Sequence, residues 1–288
     1  MNIRWIIAFV ILCLAQESMG DTQEKSRKRT RHVIAKKTPL APQEKTYSEP
    51  VNILGSIVKD VFEIHINLAS FDFFRIGCAL FPPFVALRMN DERIHSHFYD
   101  PEHHKNKNQC AFFNHFFAQE AIAIPILGLV SLSVFSHDED LRATSRVFAI
   151  GMPFVLIAKD IIKQLRFKAA YRPYNQYFEK KRKHVCGGFP SGHMAEMAYM
   201  TVLYSMRHGM KFAIPLSILS AYVGSTFVVC NRHYASQIVA GAGLGALYAV
   251  AASRVIDNKL ELRRLKSLEM GFDTLSTGDP ALSLNYKF

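Results

Sequence analysis

The sequence predicts an all-α, membrane-embedded helical bundle, and three observations predict it. Apolar residues make up 49% of the 288 residues and charged residues only 20%, with 12% aromatics, a balance that excludes a mostly disordered chain. The apolar residues are concentrated in five stretches of helical length: Phe116–Ser136, Val147–Ile162, Met194–Met206, Phe212–Cys230 and Ala235–Ile256. The last of these carries Gly241, Gly243 and Gly245, small residues that let helices approach closely in a bilayer. A soluble all-α domain is the competing reading, because two of the five stretches are short for a span of about 20 residues.

The elements follow in order. Residues 1–20 place one Arg before an apolar run from Trp5 to Ala15 and end in small residues, the pattern of a signal sequence or signal anchor. Residues 21–50 are basic and interrupted by Pro39, Pro42 and Pro50, and read as a disordered tether. Residues 51–115 read as an interfacial helix followed by a polar, His-rich loop. Lys59, Asp60, Glu63, Asp72 and Arg75 recur in the helical part, and Pro82 and Pro83 are expected to break it. The four loop histidines, His95, His97, His103 and His104, lack a convincing metal-ligand spacing. Residues 116–256 form the helical core, and 257–288 a cytoplasmic tail.

Orientation comes from the basic loops. Arg207 and Lys211 lie between two spans, and Arg254, Lys259, Arg263, Arg264 and Lys266 mark the end of the last. Lys and Arg near span ends mark the cytoplasmic side. The loops at 163–193 and 231–234 then lie on the non-cytoplasmic face, which is the periplasmic side of an inner membrane if the source is bacterial. The parity closes in two ways. Either residues 1–20 span or are removed and 71–88 does not cross, which leaves the basic tether outside against the rule, or 71–88 crosses and the tether is inside.

The chemistry gathers on that face. Lys163, Arg166, Lys168, Arg172, Lys180, Lys181, Arg182 and Lys183 crowd one loop, which ends in Phe189-Pro190-Ser191-Gly192-His193 where the next helix begins. A helix start offers unpaired amides and a positive dipole end. Gly192 admits a ligand to the backbone, Ser191 adds a hydroxyl, and the Arg172 fork can hold two phosphate oxygens. This is an oxyanion site, most simply for phosphate. The bland alternatives are a headgroup contact for the basic run and an ordinary helix cap for the Ser-Gly pair. His233 lies in the next loop on the same face, so one imidazole can attack phosphorus while the other protonates the leaving oxygen. No acidic metal-binding cluster is visible, so the expected transfer runs through phosphohistidine, with no cofactor.

These residues resemble the type 2 phosphatidic acid phosphatase superfamily, whose members include lipid phosphatases, glucose-6-phosphatase-like enzymes and vanadium haloperoxidases. The resemblance covers about residues 116–256. Its second motif, Pro-Ser-Gly-His, is intact at Pro190–His193. Its first, a Lys, six residues and Arg-Pro, ends at Arg172-Pro173, but Leu165 stands at the Lys position; Lys163 fits through a small insertion, with Arg166 as substitute. Its third has the His at His233, while Gln237 replaces the Asp four residues on and Thr226-Phe227 replaces a Ser-Arg pair; Arg232 is the neighbouring cation.

The resemblance implies His233 as nucleophile and His193 as general acid, with Gln237 orienting His233. It implies Lys163, Arg172, Ser191 and the Gly192 amide as phosphate ligands. The activity implied is hydrolysis of a phosphomonoester or diphosphate, with a lipid as the expected carrier because the site faces headgroups. The partners expected are the membrane and a phosphorylated lipid or other phosphate ester, not nucleic acid. A degenerate member that binds such a lipid, or a partner, without turnover is the second reading. Halide oxidation on the same scaffold is weak, since no residue favours it. Cys110, Cys186 and Cys230 fall on or near the outer face, where Cys186–Cys230 and Cys110–Cys186 are both open as disulfides.

Overall fold

The computed structural model describes residues 53–98, 120–165, 167, 170–173, 187–274 and 280–286. These form seven helices: α1 Ile53–Leu68, α2 Phe71–Phe98, α3 Glu120–Phe135, α4 Glu139–Lys163, α5 Gly192–His208, α6 Met210–Val229 and α7 Ala235–Ser267. One antiparallel hairpin follows, β1 Leu268–Thr274 with β2 Pro280–Tyr286. The expected signal segment and basic tether at 1–50 lie outside the described residues.

The predicted helical bundle is what the chain builds. α5 is its axis, packed by α7, α6 and α4, and it buries Tyr199, Tyr204, Met197, Met200 and Leu203 completely. The two buried phenols direct their hydroxyls at α4: Tyr204 pairs with Ser145 at 2.8 Å and Tyr199 donates to the Val147 carbonyl at 3.3 Å. A buried hydroxyl without a partner costs about 1–3 kcal/mol, so these contacts fix the helix pair. Gly241 and Gly245, one turn apart, let α7 lie directly on the α5 backbone. A Cβ at either would come within 2.2 Å of the Ser191 or Ala195 carbonyl oxygen. This is the close approach that the glycine spacing predicts.

Two helices among the described residues, Met210–Val229 and Ala235–Glu261, are long and apolar enough to cross a membrane, and the bent pair α1–α2 passes the same test when the two are taken together as one span. Large apolar side chains on the outer surface, among them Phe73, Phe81, Ile124 and Ile218, stand exposed. The chain is an integral membrane protein. α4 is longer than its apolar run because Asp138 caps it, accepting from the amides of Asp140 and Leu141 at 3.0 and 3.2 Å. At the end of the bundle opposite the Pro190–His193 turn, Arg207 bonds Asp140 at 2.8 Å and pairs with Asp257, tying α4, α5 and α7 together.

Two elements differ from the sequence expectation. Pro82 and Pro83 do not break the helix, and it runs on to Phe98, taking in His95 and His97 of the expected polar loop. Contacts along the length of α7 carry α2 across the prolines: Asp72 pairs with Arg254, Leu80 fills the space over Gly243, and Asp91 bonds Ser236. Local propensity does not register such tertiary support. α1 is bent by 54° from α2 and reaches α7 through an Asp60–Lys259 pair. At the other terminus, α7 runs on to Ser267 and the tail ends in the hairpin, whose register pairs Leu268 with Tyr286, Met270 with Leu284 and Phe272 with Leu282. The alternation of apolar residues is the period-two signal behind it.

Candidate active site

The site is assembled at the start of α5. Phe189-Pro190 has a cis peptide bond, and Ser191 is the N-cap in an extended conformation. Its amide donates to the Gln237 carbonyl at 3.0 Å, and its carbonyl accepts from Ala195 at 3.1 Å. The backbone of Ser191 is therefore tied to α7 and to its own helix. Its hydroxyl is committed to neither: it is fully buried and has no hydrogen-bond partner among the described residues. A buried hydroxyl in that state is unusual, and it stands beside the first-turn amides of a helix.

α4 brings two lysines to the same point. A Cβ at Gly192 would lie 2.6 Å from the Lys159 Cδ and 3.4 Å from the Lys163 Nζ. The absence of a Cβ at Gly192 thus leaves room for the Lys159 side chain to pass over the helix start. Lys159 and Lys163 are one turn apart on one face. Lys159 is 9% exposed and pairs with Asp160 at 2.8 Å. It was legible in the sequence only as an interruption of an apolar run. Lys163 lies just beyond that run. Burial first, and then the charges of Lys159 and Arg172, hold its ammonium down to about 8.

This gives the first prediction. Lys163 is a cation below that value and loses its charge above it. The inhibition constant of inorganic phosphate is expected to rise about tenfold from about pH 8 to about pH 9.5, as the charge-assisted contact is lost. Lys163→Arg, which stays charged, flattens the rise. A flat wild-type profile would remove Lys163 from the pocket.

Arg172, Gln237 and His233 form the opposite wall. A Cβ at Gly188 would meet both amide atoms of Gln237 at 2.8 Å and the Arg172 Cγ at 2.9 Å, so the two side chains converge on this glycine. The Arg172 Nη2 donates to the Gly187 carbonyl at 3.3 Å. Gln237 is fully buried and its amide is oriented by two backbone groups. Its Nε2 donates to the Tyr171 carbonyl at 2.8 Å, and its Oε1 accepts from the Tyr234 amide at 3.3 Å. The same Oε1 lies 3.2 Å from the His233 Nδ1, which must therefore carry the proton. The His233 Nε2 is left as the basic nitrogen. Burial, then the positive charge of Arg172, with smaller effects from His193 and Lys163, hold this imidazole neutral well below its ordinary range; Gln237 opposes them.

His193 reaches the same place through Phe227. The His193 ring stacks on Phe227 with centroids 5.1 Å apart, and the His233 ring meets Phe227 edge-on at 5.6 Å. Phe227, 2% exposed, is the wall common to both imidazoles. Its carbonyl also accepts from the amides of Arg232 and His233 at 2.8 and 3.1 Å, which turns the loop after α6. Arg232 is half-buried on that loop, and the cations that act on His233 are Arg172, His193 and Lys163. Arg166 lies outside the described residues. Among the described residues no cluster of three or more His, Cys, Asp or Glu side chains is gathered for a metal. Cys230, next to this loop, is disulfide-bonded, while Cys78 is free.

Residues 143–261 match the PAP2 superfamily. The matched stretch holds the site residues from Lys159 to Gln237. The chain is also similar to the first transmembrane PAP2-type phosphatidylglycerolphosphate phosphatase from Bacillus subtilis, at 19% identity and a TM-score of 0.40, over 64% of this chain and 96% of that one. No curated protein matches the chain.

Proposed function

We propose that this PAP2 protein is a membrane phosphatase that hydrolyses a phosphate ester or diphosphate carried on a lipid, through a phosphohistidine on His233. One observation carries the reading: both imidazoles pack on one Phe227 ring, within the field of Arg172 and Lys163, while the buried Ser191 hydroxyl, two residues before His193, has no partner among the described residues. Lys163, Arg172, Ser191 and the Gly192 amide hold the phosphoryl oxygens. The His233 Nε2 attacks phosphorus, the P–N bond forms, and the P–O bond to the lipid breaks. His193 gives its proton to the departing oxygen. Water, losing a proton to His193, then attacks phosphorus, the P–N bond breaks, and inorganic phosphate leaves.

The aromatic surroundings support a lipid substrate. Phe189, next to the phosphate-binding turn, meets Phe84 of α2 at 5.9 Å and Phe167 at 5.2 Å between ring centroids. Exposed Phe81 and Leu165 extend this surface outward. A chain attached to a bound phosphate has an apolar path to the bilayer. Phe84→Ala and Phe167→Ala are each expected to lower the ratio of kcat/KM for long-chain phosphatidate to that for a water-soluble phenyl phosphate by about 10-fold, near the value of burying part of an aromatic ring. An unchanged ratio counts against a lipid, and absence of phosphate release from either substrate counts against hydrolysis.

We infer further that the site faces the non-cytoplasmic side. Cys230 is in a disulfide, a bond kept on oxidising faces. The opposite end of the bundle carries Arg207, Lys211, Arg254 and Lys259. α2 follows α7 from Arg254 to Ser236, which supports the reading in which 71–88 crosses. The basic stretch at 25–37 then precedes α1 on the cytoplasmic side, in accord with the charge rule.

A further inference from the structure

We propose that the last turns of α2 are a positioning device for the His233 loop, with Asp91 and His95 as its two fixed points. The inference rests on the reading of His233 as nucleophile. It starts from an unexpected register: three residues that bracket His233, two in the loop and one in the first turn of α7, are each held by a side chain of α2, across 136 to 145 positions of sequence.

On the N-terminal side of His233, the His95 Nε2 donates to the Asn231 Oδ1. Asn231 is fully buried and has a left-handed backbone with φ 57°, a conformation that needs support in a residue with a side chain. Its amide nitrogen has no partner among the described residues, so His95 is the anchor of that side chain. The His95 ring also meets Tyr234 edge-on at 5.6 Å. On the C-terminal side, the Tyr234 hydroxyl donates to Glu92 at 2.8 Å. Asp91, 1% exposed, accepts from the Ser236 amide at 3.0 Å and from the Ser236 hydroxyl, and Arg88 holds it at 2.9 Å. A carboxylate there also meets the positive end of α7.

Positions 91, 92 and 95 lie on one face of α2. They grip residues on both sides of His233 and leave its ring to Gln237 and Phe227. The ring is thus aimed by its backbone. In-line attack tolerates little error, since a misplacement of about 1 Å can cost about 100-fold. The bond from Gln237 is a neutral one at 3.2 Å, so it orients less firmly than a carboxylate would.

The experiment compares wild type, His95→Ala, His95→Gln and Tyr234→Phe in phosphate release from long-chain phosphatidate, with hydrogen exchange of the 231–237 amides. The His95→Ala change is expected to lower kcat by about 10–100-fold with KM within about twofold. His95→Gln, which can still donate to Asn231, restores most of the loss. Tyr234→Phe, a milder change that keeps the ring, lowers kcat by about threefold. Exchange at 231–237 quickens in His95→Ala while α5 is unaffected. An equal loss in His95→Gln, or a loss carried by KM, overturns the proposal. If His95→Ala does not fold, an unchanged kcat in Tyr234→Phe overturns it. If wild type releases no phosphate, the phosphatase reading fails, and exchange alone then decides: faster exchange confined to 231–237 upholds the device, and unchanged exchange overturns it.

Discussion

Purified His233→Ala protein is expected to release phosphate at least about 10⁴-fold more slowly than wild type, a loss of about 5.5 kcal/mol of transition-state stabilisation. Its Nε2 is the nitrogen left basic when the Nδ1–H donates to the Gln237 Oε1, and the ring is kept neutral by burial and by Arg172. No neighbour can replace it as nucleophile. His193 is stacked against Phe227, and in the proposed mechanism Lys163 is a phosphate ligand. Phosphate affinity gives the control. Lys163, Arg172 and Ser191 remain, so the inhibition constant for inorganic phosphate should stay within about threefold. His193→Ala should cost about 10²–10⁴-fold with an alkyl leaving group and far less with nitrophenolate, which departs without a proton. If both alanine variants release phosphate at the wild-type rate, or if no variant and no wild type does, the non-catalytic reading stands in place of the enzyme. Phe227 at the position of an expected Arg is what favours that second reading.

The parts legible in the sequence are those whose chemistry is contiguous or periodic. Pro190–His193 is a single turn, and its place at the start of a helix follows from local rules. Gly241 and Gly245 are one turn apart, and the α5 backbone lies against both. Lys163 continues the helix face that carries Lys159 toward α5, whereas Leu165 lies beyond the last turn, 58% exposed. Contacts between distant segments could not be read this way. Asp91 and His95 looked like members of a polar loop because the prolines suggest an end to α2. Only packing on α7 makes them helical and brings them to Ser236 and Asn231. Phe227 looked like a loss, an apolar residue at a cationic position. In the fold it is also a wall against which both imidazoles rest.

Gln237→Asp is expected to raise kcat by about 10–100-fold, worth about 1.4–2.7 kcal/mol. In a serine protease triad, replacing Asp by Asn costs about 10⁴, largely through the wrong tautomer. Here the tautomer is already correct, because the Tyr171 carbonyl and the Tyr234 amide fix the Gln237 amide so that its oxygen faces His233. Only the charge remains to be gained. A carboxylate near Nδ1 would counter the Arg172 field and make His233 more basic, and it would stabilise the imidazolium as the P–N bond forms. Substituting Glu should do less. Its carboxylate matches the length of Gln and would place an oxygen where the Gln237 Nε2 now donates to the Tyr171 carbonyl at 2.8 Å, setting two acceptors against each other. Asp is shorter, avoids that contact, and leaves the Tyr171 carbonyl without its donor, a cost of about 1–3 kcal/mol to folding and not to the chemical step. A faster but less stable Gln237→Asp protein is therefore the specific outcome, read from kcat and Tm on one preparation. A slower Asp variant beside an unchanged Glu variant would mean that His233 does not carry positive charge in the rate-limiting step.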